Sequence, residues 1–184
     1  MSTRTDAVAV LGRAVDQAGD LLVATHTDDL DRPTPCDDWD VRTLAGHLMA
    51  APGTFLQMAR GEQPDRSAPP ALPASGWGQQ FRSGGDDLIH HWHQQGEEAE
   101  EFQVDMQTAE LAVHTWDLAR ALGRPADRLD PEVAERAVAL LRQGLTPENR
   151  GAAFAAEVPV PDDAGPYDRL AGAAGRDPGW APAP

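Results

Sequence analysis

The amino-acid sequence predicts an all-α chain, and three observations carry that expectation. Apolar residues recur at spacings of three and four through five stretches, no alternating polar and apolar run is long enough to build a sheet, and Asp, Pro and Gly fall where helices would start and stop. An all-helical bundle is the simplest fold that buries such faces.

The first stretch, about Asp6 to Thr25, puts Leu11, Ala14, Val15, Ala18, Leu21 and Leu22 on one side of a helix. The connection that follows, DDLDRPTPCDDWD, is dense in Asp and Pro and ends at Asp40, the expected cap of a second helix. From Val41 to about Arg60, the apolar positions Val41, Leu44, Leu48, Ala51, Phe55 and Met58 repeat in helical register, with Pro52 inside as an expected kink. Residues Gly61 to Gly76 carry too many prolines and glycines for regular structure, and their number allows a crossover. A third helix is expected from Trp77 to Gln95, broken at Ser83, Gly84 and Gly85 and restarting at Asp86. A fourth runs from about Asp105 to Leu122, stopped by Gly123, Arg124 and Pro125. The fifth starts at Asp130 and Pro131, turns Val133, Ala137, Leu140 and Leu141 inward and ends near Gly144. These elements form an expected bundle domain over residues 1–145. Residues 146–184 are expected to be an irregular Pro/Gly-rich tail with one short helix at Tyr167 to Ala174. Phe154, Val158, Val160, Tyr167, Leu170 and Trp180 give that tail a means of docking on the bundle.

At 184 residues, 41% of them hydrophobic, the chain can bury a core without disulfides, and its single cysteine, Cys36, excludes a disulfide framework or a cysteine-rich zinc module. Thirty acidic against 15 basic side chains leave a net charge of −15, which opposes binding to nucleic acid or anionic lipid. All 15 basic residues are arginine, so lysine nucleophiles, Schiff bases and P-loop chemistry are excluded. No apolar run reaches the roughly 18 to 20 residues that span a bilayer, and the start, MSTRTDAVAV, lacks the profile of a signal peptide. A cytoplasmic location is expected.

Glu110 and His114 stand four apart on the fourth helix, one turn from each other on one face. His47 lies among the apolar positions of the second helix beside Leu44 and Leu48. Two imidazoles and a carboxylate would bind zinc, iron, nickel or manganese and leave coordination positions open. Taken singly, the same residues also suit a solvated Glu–His pair and a hydrogen-bonded core histidine. Asp117, one turn beyond His114, suits either a group that orients a ligand or a surface partner of Arg120. His90, His91 and His93 form a run with no acidic ligand fixed beside it, and Cys36 reads as a small thiol supporting the start of the second helix. Trp39 and Trp116 are expected in the core or a pocket wall.

Three segments carry a resemblance: TPCDDWDVRTLAGHL over Thr34–Leu48, ELAVHTWDLARALG over Glu110–Gly123, and GRDPGW over Gly175–Trp180. Together they resemble the actinobacterial branch of the DinB-like superfamily, whose best understood relatives are the mycothiol-dependent maleylpyruvate isomerases. The resemblance implies a four-helix bundle with a long crossover and a divalent metal held by His47, Glu110 and His114. Those isomerases carry an additional C-terminal domain that helps complete the active site, where this chain has a Pro/Gly-rich stretch after Gly144. The segment Gly96 to Gln107 is also shorter and more acidic than the family's lead into the metal-binding helix, so the pocket wall is expected to differ.

A divalent cation favours the deprotonated form of whatever coordinates it, whether thiol or water. The expected function is therefore a metal-dependent thiol transferase or isomerase-like enzyme that brings a small-molecule thiol, mycothiol where the source makes it, to an electrophile. Two alternatives stand beside it. One is a non-catalytic module of the same fold that binds a metal or small ligand. The other is a plain helical bundle in which the three side chains never converge.

Overall fold

A computed structural model of the chain describes residues 4–36, 38–65, 71–96, 100–150, 154–161 and 163–182. Six α-helices follow one another: α1 (Arg4–Ala24), α2 (Val41–Ala59), α3 (Trp77–Gln95), α4 (Glu101–Ala121), α5 (Pro131–Gly144) and α6 (Pro166–Ala173). Among the described residues there is no strand, only an isolated bridge between Pro33 and Asp40. No helix among them is long and apolar enough to cross a membrane. The expectation of an all-α bundle holds. Helices α1 and α2 each pack on both α3 and α4, so the four alternate around one core, while α5 lies on α4 and α1, and α6 on α5 and α4.

The six inward positions expected on α1 are all buried. Its end is held by Thr25, whose hydroxyl donates to the Leu21 carbonyl at 2.8 Å. The chain then turns through a short 3-10 segment, Thr27–Asp29, into the loop that precedes α2. Backbone bonds from Val41 to Arg32 and from Arg42 to Leu30 tie this loop to the start of α2. Inside it, the Thr34 hydroxyl donates to the carbonyls of Trp39 and Cys36. Asp40 caps α2 as expected, its carboxylate accepting from the Thr43 amide at 2.8 Å and the Thr43 hydroxyl at 2.7 Å. Such a cap is worth about 1 kcal/mol. The helix continues past the buried Pro52. Met58 departs from expectation: it lies at the last turn, where α2 has left the core, and it is exposed.

The expected break in the third helix does not occur, because α3 is continuous from Trp77 to Gln95. Its glycines serve close packing. A Cβ on Gly85 would meet Val15 Cγ1 at 2.3 Å, and one on Gly78 would meet Val23 Cγ2 at the same distance. The absent side chains let α3 approach α1, and the close apolar packing of the two helices outweighs the roughly 1 kcal/mol that each glycine costs a helix.

Helix α4 begins about one turn earlier than Asp105. Arg136 on α5 reaches both Glu101, at 2.8 Å, and Asp105, which draws that acidic turn into the helix. The acidic lead into α4 falls partly on 97–99, outside the described residues. Asp130 caps α5 by accepting from the Glu132 amide at 2.9 Å, with Pro131 as the first helical residue. Beyond α5 the short helix appears as α6, one residue earlier than expected, with Tyr167, Leu170, Ala171 and Ala173 buried. Gln17 on α1 donates to the Tyr167 hydroxyl, and the Val158 amide donates to the Gly172 carbonyl at 3.0 Å.

Candidate metal centre

Helices α2 and α4 bring together the three residues singled out in the sequence. Glu110 Oε1 lies 2.9 Å from His47 Nε2 and 3.5 Å from His114 Nε2. One ligand atom from each residue lies within 4.8 Å of the other two. Four donors at about 2.0–2.1 Å from a tetrahedral ion stand about 3.3–3.4 Å apart. The two separations from Glu110 bracket that value, so the donor set fits a single divalent cation.

The site is graded in exposure. The His114 side chain is 9% exposed, whereas those of His47 and Glu110 are 31% and 37% exposed, so its face opens along α2 and the outer side of Glu110. Trp39, delivered by the loop before α2, forms one wall. Its ring stacks on His114 at 5.5 Å between centroids and tilts over His47 at 4.9 Å.

Behind His114 stands a fully buried acid. The His114 Nδ1–H donates to Asp117 Oδ2 at 3.0 Å, and the Asp117 side chain has no exposed surface. That bond commits Nδ1 to Asp117 and leaves Nε2 of a neutral ring to face Glu110 and His47, the orientation a metal ligand needs. Asp117 also faces Arg176, whose Nε and Nη2 each lie 3.4 Å from its carboxylate oxygens. Arg176 donates in addition to the Ala174 carbonyl at 3.0 Å and approaches Cys36 Sγ at 3.8 Å.

Burial alone would push His114 down, but its bonds to Asp117 and Glu110 and their charges prevail, raising it to about 9 without a bound cation. Burial would likewise raise Glu110, and the hydrogen bonds and charges of His114 and His47 reverse this, holding the carboxyl well below the usual range. The three groups thus form a charge-compensated cluster when only protons occupy it.

Several expectations are corrected here. Asp117 is not a surface partner of Arg120, because Asp117 is buried against Arg176 while Arg120 donates to the Trp180 carbonyl and lies over the Trp116 ring. Cys36 stands in the loop before α2 as expected, and its sulfur, a His114 nitrogen and an Asp117 oxygen lie within 4.8 Å of one another. That second group shares His114 with the first, so the two are not independent sites. Arg176 was missed as a neighbour of the centre, although it lies in the GRDPGW segment; a contact spanning 59 positions leaves no mark on spacing. Trp116 is core and Trp39 is wall. His90 is exposed and paired with Gln94, His91 packs on Trp92, and no group of three donors among the described residues includes His90, His91 or His93.

The family described as the mycothiol maleylpyruvate isomerase N-terminal domain matches residues 11–119, a span that contains all three donors and Asp117. An uncharacterized protein of Mycobacterium tuberculosis, from strain CDC 1551 / Oshkosh and from strain ATCC 25618 / H37Rv, is 30% identical over 172 residues, covering 89% of this chain and 94% of its own. No solved structure gives a significant match. On the extent of the first match and the coverage of the second, the chain belongs to the family of the mycothiol maleylpyruvate isomerase N-terminal domain.

Proposed function

We propose that His47, Glu110 and His114 hold a divalent cation, zinc first among zinc, nickel, iron and manganese, and that the protein is a metal-dependent thiol transferase or isomerase-like enzyme. Its co-substrates are a small thiol, mycothiol where the organism makes it, and an electrophilic small molecule, both met in the cytoplasm. The observation that carries this reading is the convergence of two imidazole nitrogens and one carboxylate oxygen at separations suited to one ion, with Asp117 behind one of the rings.

A divalent cation in that position supplies the Lewis acidity that favours the deprotonated form of a coordinating thiol near neutral pH. The chain supplies the rest. Asp117 fixes the tautomer and direction of His114, Trp39 covers one side and limits water there, and the partly exposed His47 and Glu110 leave an approach for small molecules. The net charge of −15 supports small-molecule partners over nucleic acid or anionic membrane.

Elemental analysis of protein purified without a histidine tag, beside His114→Ala, tests the first step. The parent is expected to carry close to one equivalent of metal and the variant to lose it; equal contents would end the proposal. Thiol and electrophile are then incubated with apo and metal-loaded protein. Consumption that requires both metal and thiol is the expected result. Metal binding without turnover would leave a binding module in place of an enzyme.

A further inference from the structure

A cavity of about 420 Å³ opens between α4 and α5, and one of its walls is Glu110. Its lining is apolar, including Phe102, Met106, Val113, Leu140, Leu145 and Phe154, and its polar side chains are Glu110 and Gln143. Among the described residues, no arginine lines it. Phe102 and Met106 are 65% and 50% exposed, an unusual cost for large apolar groups on a chain with so many acidic residues. The volume lies within the range of small-molecule pockets.

We propose that this groove binds the neutral, apolar body of the electrophile. The inference rests on the thiol-transfer reading for the identity of the ligand, but the groove's own chemistry selects its class. Away from its metal end, a carboxylate or phosphate in the groove would be desolvated against hydrocarbon with no cationic side chain among the described lining residues, a placement that costs far more than burying hydrocarbon. A neutral apolar molecule instead covers the two exposed side chains and is stabilised by that burial. Because Glu110 belongs to both groove and three-donor cluster, the end of such a molecule nearest Glu110 lies beside the place where the thiol is held.

The test uses two probes that differ by one sulfonate, N-phenyl-1-naphthylamine and 1-anilinonaphthalene-8-sulfonate. Both are titrated by fluorescence into the full chain, with zinc and with a chelator. The neutral amine is expected to bind about tenfold or more tightly than its sulfonate. Gly144 lines the groove at the end of α5, and a Cβ there meets nothing within 4 Å, so the side chain of Gly144→Phe starts in open space at the groove. That variant should weaken the amine by about tenfold or more, with helicity and zinc binding unchanged. Met106→Gln, which replaces the thioether and its methyl with a polar amide, should weaken it by about fourfold or more.

Equal affinity for the two probes, or amine binding indifferent to both substitutions, would overturn the proposal. So would native mass spectra showing that the groove is covered by a second copy of the chain at the concentrations assayed. Zinc titrated into the same samples reports separately on the metal reading: amine binding without zinc binding removes the metal centre and leaves the groove.

Discussion

Asp117→Asn is the substitution that separates a metal ligand set from an ordinary buried ion pair. The two side chains are nearly isosteric, so packing is retained while the charge is lost. In the parent, Asp117 accepts from His114 Nδ1 at 3.0 Å and faces Arg176 Nε and Nη2 at 3.4 Å, with its own side chain fully buried and that of Arg176 9% exposed. Removing one member of a buried pair costs about 3–5 kcal/mol. The long Arg176 contacts and the oxygen that asparagine keeps place this case below that range, at about 2–3 kcal/mol. Zinc affinity should fall separately, by about 10–100-fold, or roughly 1.4–2.7 kcal/mol, because His114 loses the charged acceptor that fixes its tautomer. Competition with a chromophoric chelator at fixed pH measures the affinity, and urea unfolding of the metal-free protein measures the stability. Arg120→Gln is the control, since Arg120 bonds the Trp180 carbonyl and not Asp117. A zinc affinity for Asp117→Asn within about threefold of the parent would refute the reasoning, because oriented histidine ligands depend on their acceptors.

Other outcomes follow from the same arrangement of side chains. In metal-free protein the folded His114 is raised to about 9, so its contribution is complete below its ordinary 6.5 and lost as pH rises through 9. Glu110 is lowered, so its contribution is complete above its ordinary 4.5 and lost on acidification. The urea midpoint of chelated protein should therefore fall from pH 6 to pH 9, while zinc affinity rises over that interval because the ion must displace a proton from His114; a midpoint that rises instead contradicts the cluster. Gly85→Ala should lower the melting temperature, since a clash at 2.3 Å with Val15 costs about 1–3 kcal/mol against a propensity gain of about 1 kcal/mol, whereas Gly12→Ala, with nothing within 4 Å, should raise it. The chain has one tyrosine, Tyr167, and burial pushes its phenol above the ordinary 10, with Asp130 adding to the rise and the Gln17 bond opposing it. Ultraviolet difference absorbance during alkaline titration should show no phenolate until helicity is lost; reversible ionisation near 10 in folded protein would disprove that environment.

What the sequence discloses and what it hides divide along physical lines. Local signals were readable: the Asp40 cap, the Asp130–Pro131 start, and the one-turn spacing of Glu110 and His114 all depend on residues within four positions of one another. The inward stripe of α1 was readable for the same reason. His47 could be chosen as a third donor because a single helix rarely closes a site, but spacing alone could not place it opposite Glu110, 63 positions away; the family resemblance added weight to that choice. Gly84 and Gly85 were misread because a helical glycine signals either a break or a close neighbour, and choosing between them requires knowing that Val15 lies across the interface. Asp117 was ambiguous because a carboxylate near one end of a helix usually finds a nearby arginine; its partner sits in the last segment of the chain. The early start of α4 depends on Arg136, which periodicity within α4 does not register.

The pairing of Asp117 with Arg176 has a consequence for how the protein is made. When α4 has been made, His47, Glu110, His114 and Asp117 are all present, yet Arg176, whose guanidinium faces Asp117, lies 59 positions beyond Asp117 in the chain. A polypeptide cut short of Arg176 therefore leaves Asp117 with His114 as its partner but without the guanidinium, and one cut before Phe154 also lacks that wall of the cavity. The inner side of the centre is thereby closed by a segment that joins the fold after the three donors.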